Sequence, residues 1–194
     1  VKTAIESTLN RLGTFVFPAV LVLLSATALV WQLGHFEASA GTALPIKVWE
    51  QLDSAVSPEH ANVLVALETA VPTTSFETRL STNEFWFSVE IPPYLDDRPG
   101  AIELPSRHAA GVTCWDGRTD RLLGSGDRLT TTGLLVTSRA GFAFPSAGLR
   151  GVSSLLCRGD FRGPAKIVVI AWNADALAVA QDTYDRTGTL LEAG

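Results

Sequence analysis

Methionine is absent from the 194 residues, and cysteine, tyrosine and histidine are scarce, at two, two and three. Two cysteines exclude a disulfide-dense scaffold and a four-cysteine zinc site. The histidines, His35, His60 and His108, are scattered and lack zinc-ligand spacing, so no metal site is expected. Charge is also thin, at 18% of residues, with 15 basic against 20 acidic and a net charge of −5. Without a basic stripe the chain is not expected to bind nucleic acid. There is no G-x-S-x-G, no P-loop, no dinucleotide fingerprint and no S-x-x-K ahead of Ser81-Thr82-Asn83. Neither an enzyme active site nor a cofactor is therefore expected. A hydrophobic fraction of 46% excludes a wholly disordered chain. The chain starts at Val1, and Leu190-Leu191-Glu192-Ala193-Gly194 stops within an amphipathic pattern, so we expect a piece of a longer protein.

What the sequence does have is one long apolar run. No formally charged residue occurs from Leu12 to Phe36. About 20 apolar residues in a helix span the hydrocarbon layer of a bilayer. A buried helix of a soluble protein would normally show a polar stripe, which this run lacks. Lys2 and Arg11 precede it and Glu37 comes after it, which places the N-terminus in the cytoplasm and the remainder outside it. Ala38-Ser39-Ala40 also fits a signal-peptidase site, so an uncleaved anchor and a cleaved signal both stay open. Either one exports the rest of the chain, and the expected location is the bacterial inner membrane with the domain in the periplasm.

Residues 37–75 read as a linker with one short helix, and Pro45 to Leu52 as a short helix or an extended segment. Ser57 would be the N-cap, Pro58 the first helical position, and Asn62 to Glu68 the helix body. From Arg79 the pattern changes to short runs of aromatic and β-branched residues separated by Gly and Pro. Strands are expected at Glu84–Ile91, Ala101–Leu104, Gly111–Trp115, Arg121–Gly124, Gly133–Ser138, Gly141–Phe144, Val152–Arg158 and Lys166–Trp172. Asp116-Gly117 marks a hairpin. Strands at this spacing, with no long helices between them, predict an antiparallel β-sandwich over 76–172. Helical periodicity returns after Trp172, with Asn173 as N-cap, over 173–194. That helix either packs on the sandwich or leads toward a further span.

The chemistry on offer is sparse. Cys114 and Cys157 lie on separate predicted strands and are either a disulfide, as an oxidising compartment favours, or two buried thiols. Asp116, Asp120 and Asp127 flank a glycine-containing segment, but turn roles fit them better than a calcium loop. Phe85, Trp86 and Phe87 must point to both faces of one strand. One face is core; the other either stacks on a sugar ring or flat ligand or lies beneath a covering helix. Trp86, Trp115, Arg107 and His108 are the candidate ligand contacts.

The order of these segments resembles the extracellular sensor domain of bacterial seven-transmembrane receptors with diverse intracellular signalling modules. The residues that carry the resemblance are Phe85-Trp86-Phe87-Ser88-Val89, Ala101-Ile102-Glu103-Leu104, Leu122-Leu123-Gly124 and Lys166 to Trp172, with a helix after them. The resemblance covers roughly Ser75 to Gly194. It implies a mainly β, jelly-roll-like sandwich, between an N-terminal transmembrane helix (1–36) and a C-terminal helix. It implies ligand sensing coupled to an output outside this chain, such as a diguanylate cyclase or histidine kinase. A small-molecule or carbohydrate ligand, a membrane and a homodimer are the expected partners. The alternative function is a membrane-anchored envelope polysaccharide-binding or assembly protein.

Overall fold

The computed structural model describes residues 16–35, 41–52, 59–97, 99–106, 108–139 and 141–192. Contacts divide the chain into two compact units, Val1–Ser39 and Ala40–Gly194. In the first, α1 runs over Phe17–His35. Thr27 satisfies its hydroxyl within that helix by donating to the carbonyls of Leu23 (3.0 Å) and Leu24 (2.9 Å). Among the described residues no helix is long and apolar enough to cross a membrane, so the fold lends the expected N-terminal span no support. Lys2, Arg11 and the A-x-A stretch lie outside the described residues, as do Ser57 and Pro58.

The second unit is mainly β, and every strand pairing is antiparallel. Its strands are β1 (Thr42–Ala43), β2 (Ile46–Gln51), β3 (Phe76–Glu77), β4 (Glu84–Glu90), β5 (Gly100–Leu104), β6 (Ala109–Asp116) and β7 (Leu122–Asp127). They continue with β8 (Thr131–Gly133), β9 (Val136–Ser138), β10 (Gly141–Pro145), β11 (Ser154–Phe161), β12 (Lys166–Ile167) and β13 (Ile170–Asn173). Three helices interleave: α2 (His60–Thr69), the short α3 (Tyr94–Asp97) and α4 (Ala174–Glu192). One sheet has the order β1-β13-β5-β10-β9, the other β2-β4-β11-β6-β7-β8, and β12 pairs with β3 apart from both. The stretch read as linker thus supplies an edge strand to each sheet.

The two sheets face each other across one apolar core. Phe85, Phe87 and Val89 of β4 meet Ile102 and Leu104 of β5 and Phe142 and Phe144 of β10 in a single cluster. Each such side chain, fully buried, contributes about 1.5–3 kcal/mol. Period two sends Trp86 to the other face of β4, where α2 covers it with Val63 and Leu67. The run of three consecutive buried aromatics therefore reflects a strand covered on both faces, the second by a helix.

Local chemistry explains the connections. Asp116-Gly117 opens the loop between β6 and β7, and the Asp116 carboxylate accepts from the amide of Arg118 (3.0 Å) and the hydroxyl of Thr119 (2.7 Å). Asp127 does the same at the next turn, accepting from the amides of Leu129 and Thr130 at 2.7 Å each. The expected single strand over Gly133–Ser138 is broken, because Gly133 takes a left-handed φ of +69° where a Cβ would lie 2.4 Å from the Leu123 carbonyl oxygen. The chain crosses there from one sheet to the other. Asn173 caps α4, its Oδ1 accepting from the Ala176 amide at 2.7 Å. The helix packs back on β5 and β13.

Candidate functional site

Two side-chain groups stand on the outer faces of the sandwich. The first lies on the sheet beneath α2. Trp86 on β4 and Trp115 on β6 flank the central strand β11, and their rings stack at 5.5 Å between centroids with 20° between planes. Trp49 on the edge strand β2 is directly opposite Trp86. The Trp86 indole N–H donates to Gln51 Oε1 at 3.0 Å. Arg158, opposite Trp86 on β11, holds its guanidinium carbon 5.9 Å from the Trp86 ring and pairs with Glu84 at 3.8 Å.

His60, the first residue of α2, closes this group. Its imidazole meets Trp115 at 4.4 Å and Trp86 at 5.4 Å, edge to face in both cases. Its Nδ1–H donates to the Asp120 carboxylate in the loop between β6 and β7. Asp120 sits at a left-handed φ of +59°, a conformation aspartate tolerates, and its side chain is 64% exposed. The His60 side chain is only 22% exposed.

The second group lies on the opposite sheet and leaves no signal in the sequence. Glu103, in the middle of β5, is fully buried. Its Oε1 accepts from Ser138 Oγ at 3.0 Å and Arg139 Nε at 2.9 Å. Its Oε2 accepts from Trp172 Nε1 at 2.7 Å and from the second arm of the Arg139 guanidinium. Arg139 also covers the Trp172 ring, 5.0 Å from its centroid. Gln181 on α4 reaches Ser138 Oγ at 3.5 Å. The register puts the small Ala143 beside Glu103, which leaves room for the guanidinium. Arg139 takes a left-handed φ of +43°, unfavourable for a long side chain, and the bidentate pair offsets that cost. In the sequence Glu103 reads as an outward residue of an alternating strand, and nothing pairs it with an arginine 36 positions on.

The candidate contacts separate. Trp86 and Trp115 come together as one stacked pair. Trp86 is 1% exposed, so it presents no open face to a ligand while α2 is docked. His108 lies elsewhere, at the turn between β5 and β6, with Nδ1 3.1 Å from the Arg162 carbonyl. Arg107 lies outside the described residues. Near His108 is a recess lined by Phe87, Leu104, Ala109, Phe161 and Ile167, of about 240 Å³ with open solvent included. With open solvent left out only about 10 Å³ remains, room for one water and not for an organic ligand.

Cys114 and Cys157 form a buried disulfide between the neighbouring strands β6 and β11, with Cα atoms 4.1 Å apart. Asp116 and Asp127 are turn residues. Burial acts to raise the Asp116 carboxyl, but hydrogen bonds from the Thr119 hydroxyl and the amides of Arg118 and Thr119, with the Arg118 charge, outweigh it and hold it below its usual value. The amides of Leu129 and Thr130 lower Asp127 in the same way. Among the described residues no three His, Cys, Asp or Glu side chains gather as metal ligands would. The arrangement is one of stacked indole rings with a carboxylate at the rim on one sheet, and an enclosed Glu103–Arg139 ion pair on the other. Neither a family model nor a curated protein sequence matches this chain.

Proposed function

We propose that the chain is the extracytoplasmic ligand-sensing part of a membrane-anchored bacterial receptor whose output, such as cyclic-di-GMP synthesis, lies outside these residues. The observation that carries the reading is the buried Cys114–Cys157 bridge, because such bonds persist in oxidising compartments outside the bacterial cytoplasm. The uncharged run from Leu12 to Phe36, with Lys2 and Arg11 before it, supports an inner-membrane anchor with its N-terminus in the cytoplasm. The nested sandwich supports a jelly-roll-like sensor. In it β10 lies beside β5, and β11 between β4 and β6. The terminal helix α4 is the output element. It leaves β13 directly, and through Gln181 it touches the buried Glu103 network that ties β5, β9 and β13 together. A ligand moves it only by binding two arrangements of the domain with different affinity.

The polysaccharide-binding alternative needs an open aromatic platform, and α2 covers the one that the sheet offers.

The test joins alkaline phosphatase, and separately a cytoplasm-active fluorescent protein, to the end of the full chain in bacteria. The same chain, purified in detergent, is then screened by thermal shift against amino acids, monosaccharides and quaternary ammonium salts. The expected result is active phosphatase, a dark fluorescent protein and stabilisation by one ligand class. Fluorescence with inactive phosphatase would overturn the reading.

A further inference from the structure

We propose that the tryptophan pair beneath α2 is a binding site for a small organic cation, an amine or a quaternary ammonium ion, that takes the place now held by His60. The inference rests on the sensing role above and names its ligand class. One cation from within the chain already lies over a ring, Arg158 over Trp86, and the His60 imidazole fills the space against both indoles. The electron-rich faces of tryptophan hold cations better than those of any other side chain. The Asp120 carboxylate stands at the exposed rim and now takes its hydrogen bond from His60. Stacked indoles and an adjacent carboxylate are the two components that a weakly hydrated cation needs.

His60 is the movable piece. It is the first residue of α2, and Glu59 before it makes no side-chain capping bond. The buried anchors of the helix, Val63 and Leu67, lie one and two turns further on. Replacing the imidazole therefore moves the His60 side chain at the head of α2, while Val63 and Leu67 keep the helix seated on the sheet. A bound cation would keep Asp120 paired, so the carboxylate loses no partner in the exchange.

The test titrates the full chain with choline and follows tryptophan fluorescence. The control ligand is the neutral isostere of choline, with a quaternary carbon in place of the nitrogen. Wild type should bind choline and bind the isostere about tenfold more weakly or worse, the discrimination that a caged cation provides. His60→Ala should tighten choline binding by about tenfold, and Asp120→Asn should weaken it by a similar factor. If His60→Ala fails to fold, the isostere comparison and the exposed Asp120→Asn variant decide the matter. Equal binding of choline and the isostere, or no binding of choline by both wild type and His60→Ala, overturns the proposal. Choline failure with stabilisation by another ligand class overturns this inference alone. A cytoplasmic location overturns the sensing role whatever choline does.

Discussion

At the scale of single residues, Glu103 carries the largest energetic consequence. Among the described residues its carboxylate is the only counter-charge at hydrogen-bond distance from Arg139; Glu103 is fully buried and the Arg139 side chain is 9% exposed. Glu103→Ala leaves a largely enclosed guanidinium unpaired and should cost about 3 kcal/mol in urea unfolding. Glu103→Gln keeps acceptor oxygen and should cost less. A Glu103→Ala loss below about 1 kcal/mol would mean that solvent reaches the arginine. Asp116 gives a second expectation, in acid. Its folded carboxyl lies below its unfolded value of 3.8, so its contribution is complete above that value. It fades as pH falls through the lower folded value. Asp116→Asn should flatten the loss of stability below about pH 4, read from unfolding midpoints across pH. An unchanged acid limb would show that other carboxylates dominate. The sequence makes Trp86 legible as facing away from Phe85 and Phe87, because period two requires it. Glu103 is illegible, because strand alternation marks it as a surface residue and its partners come from β9, its adjoining turn and β13.

At the scale of elements, the places with strong local chemistry are the ones that the sequence reveals. Asp116-Gly117 opens a hairpin, Asn173 caps a helix, and β4, β5, β6 and β10 fall where aromatic and β-branched runs lie. Asn173→Ala should cost about 1 kcal/mol. Faster amide exchange confined to the first turn of α4 would show that the cap is what is lost, and exchange unchanged there would contradict the assignment. The element that the sequence leaves undecided is β2. Ile46–Gln51 has little to distinguish it from a linker, and it becomes a strand because its residues pair along β4 from Val89 to Glu84. That partner is far along the chain, beyond the reach of local propensity. The sequence leaves the fate of α4 open for the same reason: an amphipathic pattern shows that one face needs cover, and not which surface provides it.

At the scale of the whole molecule, the sandwich class is legible from the number and spacing of short strands. The helix layers on its two outer faces are not. Those layers turn Trp86 of one sheet and Glu103 of the other into interior groups, and the proposed ligand and output elements rest on them. The disulfide crosses between neighbouring strands at the centre of one sheet and closes a 43-residue separation. On the chain-entropy model a bridge of that span stabilises the fold by up to about 4 kcal/mol. The sensing role requires the chain to mature where that bond can form. The most direct measurement is the thiol state of Cys114 and Cys157 in the full chain, trapped by alkylation in living bacteria and read by mass spectrometry. The account expects no alkylation of either cysteine until the protein is denatured and reduced. Two alkylated thiols in the trapped chain would contradict both the oxidising location and the sensing role built on it.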